Sequence, residues 1–167
     1  MPQDSPRLAD LLADADSAAA WLGRAMEQWA SATRQPAPEI SLSPDDLAPL
    51  RQVREDVRAL TGRGEVTSSP LAGAQLTLSL EPGGRLAYRP AGSGWRGVAA
   101  LAAAEILLAQ QRGQWARFKT CPAAPCGVAF YDESRNVSRV WHDVKTCGNQ
   151  ANLHAYRARR REAKPPG

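Results

Sequence analysis

Leu8, Leu11, Leu12, Ala15, Ala19, Leu22, Met26 and Trp29 recur at steps of three and four, which lays one apolar face along a long helix. Ser5-Pro6 supplies its start signal, a capping hydroxyl with proline at the first helical position. Asp10, Asp14 and Asp16 read as its solvated acidic side. Residues 31–42 carry two prolines and read as a linker. Ser43-Pro44-Asp45-Asp46 starts a second helix, whose Leu47, Leu50, Val53, Val57 and Leu60 form an apolar face until Gly62 and Gly64 end it. The period then drops to two. Gln75–Leu80 and Arg85–Arg89 alternate polar and apolar around the turn Glu81-Pro82-Gly83-Gly84, which predicts a β-hairpin. Trp95–Gln111 is apolar on most of its circumference and predicts a buried helix that stops at Gly113. Glu105 within it reads as a satisfied carboxylate and not as a catalytic acid, because no second polar group accompanies it.

The last third is patterned by residue type more than by period. Val128–Asp132 and Ser138–Trp141 read as two strands of a short hairpin, with Phe130, Tyr131 and Trp141 as their small core. After Cys147, the run GNQANLHAYRARRREAK predicts a helix with Leu153, Tyr156, Ala151 and Ala155 turned inward, ended by Pro165-Pro166. The fold class expected is α+β and predominantly helical. A helical N-terminal body with one β-hairpin, residues 1–116, is fused to a small C-terminal module, residues 117–164, built from a knuckle, a short hairpin and a helix.

Composition narrows this picture. The chain has 167 residues, 43% of them apolar, and five tryptophans, enough for one domain or two small ones with a buried core. No window approaches eighteen apolar residues without a charge, so no membrane span is expected. The first residues are acidic and lack the basic-then-apolar order of a secretory leader, which makes the cytoplasm the expected location. Residues 1–116 hold eleven basic and thirteen acidic side chains, whereas residues 117–167 hold ten and four, a local charge of +6. A basic segment attached to a near-neutral body is the electrostatic footprint of a polyanion binder.

The chemistry is concentrated in residues 121–147. All three cysteines lie there, in the order Cys121-x4-Cys126, fifteen residues, His142-x4-Cys147. Two close pairs of soft ligands suit one structural zinc ion, Zn2+, held by Cys121, Cys126, His142 and Cys147. An odd cysteine count in a reducing compartment also favours metal over disulfide. Four protein ligands leave no open position for a hydrolytic water. A Cys/His catalytic pair would need a glycine-rich oxyanion turn or a third member, and neither accompanies it, so an enzyme is not expected. Beyond the site, Gln150, His154, Arg157 and Arg161 fall on one face of the final helix, and Arg159 and Arg160 widen it. Asn149 and Gln150 offer amides for base edges, and Arg135 and Arg139 add charge ahead of the helix. These nine residues are the nucleic-acid contacts the sequence suggests. The bland alternative is a solvated basic helix.

The run Phe118-Lys119-x-Cys121, Cys126-Gly127, Phe130-Tyr131-Asp132-x-Ser134-Arg135-Asn136-x-Ser138-Arg139-x-Trp141, Cys147-Gly148-Asn149 and Tyr156-Arg157-Ala158-Arg159-Arg160 resembles the CGNR zinc-finger family of bacterial proteins. Residues 1–116 are similar in arrangement to the ABATE domain that precedes such fingers, with Leu8-Ala9-Asp10-Leu11-Leu12 in the corresponding place. The resemblance implies a stress-responsive transcriptional regulator that binds DNA; in such a regulator the N-terminal body is expected to sense a small molecule, a protein partner or its own homodimerisation. Two positions depart from the pattern: His142 stands where family members carry cysteine, and Gln150 replaces the arginine of the family's name. Two other functions fit the same residues. One is a zinc-stapled protein–protein interaction module, and the other is a zinc or thiol redox sensor.

Overall fold

The computed structural model describes residues 10–62, 64–124 and 126–162, with the side chains of Ala158, Arg161 and Glu162 excepted. The expected helix start at Ser5-Pro6, Leu8 of its apolar face, and the stop at Pro165-Pro166 lie outside the described residues. The elements in order are α1 (Ala15–Thr33), α2 (Leu47–Thr61), β1 (Leu76–Glu81), β2 (Arg85–Pro90), α3 (Gly94–Gln111), β3 (Phe118–Thr120), β4 (Ala129–Tyr131) and α4 (Asn149–Glu162). Short 3-10 turns at Pro44–Asp46 and Trp115–Arg117 and a π-helical turn at Val144–Gly148 complete it. The architecture is α+β and predominantly helical, with two small antiparallel hairpins. Among the described residues, no helix is long and apolar enough to cross a membrane.

The chain forms two compact units, Met1–Asp56 with Thr67–Leu108, and Val57–Val66 with Ala109–Gly167. In the first, Leu12, Ala18, Leu22, Leu50 and Val98 form the buried core, with Trp21, Met26, Ile40, Leu42, Leu47 and Trp95 packed around them. Helix α1 starts at Ala15, later than the periodicity of the leucines predicts. The reason is in the aspartates. Asp14 is the N-cap, its carboxylate accepting from the Ser17 amide at 2.8 Å, and Asp10 closes a turn by accepting from the Leu12 amide at 3.0 Å. Asp10 also pairs with Arg54 at 2.6 Å. Of the three acidic residues, two therefore build the helix entry, and only Asp16 lies within the helix.

Asp46 connects two helix starts. It accepts from the Ser43 amide and hydroxyl, both at 2.7 Å, and its other oxygen accepts from the Trp95 amide at 2.9 Å in the first turn of α3. The β1–β2 hairpin has the expected turn, with Glu81 opposite Arg85 and both Gly83 and Gly84 at positive φ. Glu105 accepts from the Trp29 indole at 2.6 Å and from the Tyr88 hydroxyl, while the two rings meet edge to face at 5.8 Å. It is a satisfied carboxylate joining α1, β2 and α3.

In the second unit, β3 pairs with β4, Phe118 opposite Tyr131 and Thr120 opposite Ala129. The Thr61 and Thr120 hydroxyls meet at 2.7 Å.

Candidate metal centre

Strand β3 delivers Cys121, whose amide donates to the Val128 carbonyl at 2.9 Å, and the chain folds back on itself there. The Cys126 amide donates to the Ala123 carbonyl at 2.7 Å, and Gly127 sits at φ +59, a conformation that glycine adopts without strain. This is the first half of the site. The second half is set by Asp143, whose carboxylate caps the π-helical turn by accepting from the Lys145 and Thr146 amides at 2.7 and 3.1 Å. That turn carries Cys147. A Cβ on the next residue, Gly148, would lie 3.1 Å from the Trp141 ring, so glycine there lets the indole close over the turn.

The ligand atoms of Cys121, Cys126, His142 and Cys147 all lie within 4.8 Å of one another. His142 Nδ1 is 3.2 Å from the Cys126 sulfur and 3.5 Å from that of Cys147. A tetrahedral zinc site with Zn–S near 2.3 Å and Zn–N near 2.0 Å has edges of about 3.4–3.8 Å, and the two His142–sulfur distances are close to that size. Cys121 and Cys147 are buried at 2% and 6% exposure. His154, the other histidine, lies exposed on α4, outside the cluster.

The electrostatics also fit a cation. Burial pushes the Cys121 thiol up, but hydrogen bonds from the side chain and backbone of His142 outweigh it and bring it down to about 7. Burial drives the Cys126 thiol the other way, to about 11, and the neighbouring Cys121 and Cys147 sulfurs add to the rise. One thiolate is accommodated and a second is opposed by the first. A divalent ion among the sulfurs removes that conflict, because it favours every deprotonated ligand. The donor set is three sulfurs and one imidazole, which suits one zinc ion in a closed structural site.

The segment before His142 corrects one expectation. Residues 138–141 form no strand, because the Arg139 amide and carbonyl bond to an Asp132–Lys119 ion pair and the Ser138 amide donates to the Ser134 hydroxyl at 3.1 Å. Asp132, fully buried, accepts from Lys119 Nζ at 2.6 Å, and from the Ser134 and Arg139 amides, both at 2.9 Å. The same ammonium donates to the carbonyls of Val137 and Arg139 at 2.7 and 2.9 Å. The amides and carbonyls that would form a ladder thus fold into a loop, with Val137 at φ +52. The partner of β4 is β3. Lys119 and Asp132 were legible only as part of the family-like run, where nothing marks them as a pair.

Arg139 is held by this loop as well. Its guanidinium donates to the Trp141 carbonyl at 3.0 Å and to the His142 carbonyl, and lies 5.3 Å from the centre of the Phe130 ring. Arg135 is exposed on the same loop. On α4, Asn149, Gln150, His154, Arg157, Arg159 and Arg160 are exposed, and the side chain of Arg161 lies outside the described residues. Leu153 and Tyr156, expected to turn inward, are 46% and 51% exposed. A helix with a single apolar pair has little to bury it against, and α4 simply continues the π-helical turn that precedes it.

Comparison with curated proteins finds no match. Residues 117–160 match the family model of the CGNR zinc finger. The segment that carries the Cys3His centre is a CGNR zinc finger.

Proposed function

We propose that the protein is a DNA-binding regulator of the bacterial, stress-responsive type, in which the zinc finger presents α4 to nucleic acid. The observation that carries this reading is the state of α4. It rises directly from Cys147, and all its described side chains from Asn149 to Arg160 are exposed except that of Ala151. Arg157, Arg159 and Arg160 are among them, within a segment of charge +6. Phosphate contacts need cations that are not already paired, and an exposed basic helix supplies them. Arg139, whose donors serve the loop carbonyls, acts in this reading as a support for the His142 segment, and Arg135 takes the outer role. The protein is a binding protein, cytoplasmic, and not an enzyme. Residues 1–116 form an ABATE-like sensing body for a small molecule, a protein or a second copy.

The test is binding of the zinc-loaded chain to duplex DNA across a salt series. Affinity should fall linearly with salt on logarithmic axes, and Arg157→Ala and Arg160→Ala should each reduce the slope by about one. Binding that is absent, or indifferent to salt, overturns the reading. The exposed Leu153 and Tyr156 favour a second one, a zinc-stapled protein interaction module. In that case Leu153→Ser would abolish capture of a partner, and no arginine variant would matter to it.

A further inference from the structure

Three aromatic rings lie side by side at the start of the zinc finger. Trp115 stacks on Phe118, with centroids 5.5 Å apart and planes at 28°, and Phe118 meets Tyr131 edge to face at 5.1 Å. Phe118 and Tyr131 are a directly opposed pair on β3 and β4, so their side chains leave the same face of the hairpin. Each is 39% exposed. The other face is occupied: Phe130 lies under the Arg139 guanidinium, and Lys119 is consumed by Asp132. The three rings are therefore more than the module's core. Phe118 and Tyr131 form a contiguous solvent-exposed aromatic surface, extended on one side by the half-buried ring of Trp115.

The charge near this surface points to its occupant. Arg112 and Arg135 are exposed beside it in the chain, and Arg117 adds a third positive charge while its Nη1 donates to the carbonyls of Asp132 and Ser134. Glu133 opposes them with one negative charge. A protein partner would use both parts only if it carried an acidic rim around an apolar face. A nucleic acid with unpaired bases gains from both parts, since its bases stack on rings and its phosphates meet arginines. In a duplex the base faces are covered by their neighbours, so a ring surface has nothing to stack against.

We propose that Trp115, Phe118 and Tyr131 form a stacking platform for unpaired bases, and that the zinc finger binds single-stranded nucleic acid. The proposal rests on the nucleic-acid reading above and extends it from duplex to single strand. It does not depend on base identity, because every base has a π face.

The experiment titrates the full zinc-loaded chain with oligo(dT) and oligo(rU) of 20 nucleotides and with a duplex of equal length, following tryptophan emission and anisotropy. Both single strands, or one of them, should bind and quench the emission, and the two arms separate DNA from RNA. Phe118→Leu combined with Tyr131→Leu should weaken single-strand binding at least about fivefold, the effect of losing one stacked base, and leave duplex binding unchanged. Zinc content checks that the double variant is folded. Trp115→Phe, which keeps a ring, should retain affinity and lose much of the quenching, so it decides the matter if the double variant loses zinc. Unchanged quenching in Trp115→Phe, or unchanged single-strand affinity in a zinc-replete double variant, overturns the platform. Loss of self-association without loss of single-strand binding also overturns it and marks the rings as a protein-docking face. If duplex binds and single strands do not, the platform alone falls. If nothing binds, the nucleic-acid reading falls with it.

Discussion

Asp132 is the residue on which the approach to His142 depends. Its burial alone would raise its pKa, but the Lys119 ammonium and the hydrogen bonds of Ser134 and Arg139 outweigh burial and hold the carboxyl well below the usual carboxylate range. A group depressed in the folded state contributes stability above its ordinary pKa, near 3.8, and loses that contribution as pH falls toward the folded value. Asp132→Asn should therefore lower the thermal midpoint of the zinc-loaded chain at pH 7. Below about pH 4 the gap to wild type should narrow, because the unfolded wild-type chain takes up a proton there that the folded carboxylate does not. A gap independent of pH would show that the carboxylate's charge is not what holds the loop. The metal ligands give a second residue-scale prediction. Elemental analysis should find about one zinc per chain, lost in Cys121→Ser and His142→Ala and kept in His154→Ala. The four ligands were legible from spacing, because chelation fixes how far apart they can stand in sequence. Asp132 was not, since a buried carboxylate is defined by partners thirteen residues back and seven ahead.

Among the elements, those with a long period were the readable ones. The alternation of Gln75–Leu80 and Arg85–Arg89 fixed the first hairpin, and the apolar run before Gly113 fixed α3, because each repeats enough for its period to show. The second hairpin has two three-residue strands separated by the knuckle, too short for a period. There the hydrogen bonds decided, and Val140-Trp141 resembled a strand only in composition. Position 94 offers a test at this scale. Gly94 has φ +58, and an added Cβ would run into the Asp46 carboxylate that joins the starts of α2 and α3. Gly94→Ala should destabilise by on the order of 1–3 kcal/mol from backbone conformation alone, and by more through the displaced carboxylate. Urea unfolding measures this, and a change within error would mean that the α3 start relaxes freely.

At the scale of the whole molecule, the charge of the chain and its metal are concentrated in the same place. Residues 117–167 hold +6 against −2 for the rest, a division readable from the sequence, whereas the compact units divide α2 and α3 internally, which no local pattern announces. Stripping the metal with a chelator should make residues 117–162 sensitive to protease while the core around Leu22, Leu50 and Val98 stays protected. Uniform digestion of the chain would show that the metal stabilises both units together. The π-helical turn that carries Cys147 leads without a break into α4. Helix α4 has 14 residues, so at 1.5 Å per residue it is an arm about 21 Å long. Rotation at the base is magnified along an arm: a tilt of roughly ten degrees at the sulfur sweeps the far tip by about 3.7 Å, close to the 3.4 Å rise of one nucleotide. A shift in how four side chains grip an ion would, if the helix stayed rigid, be enlarged to a displacement of that order at the tip.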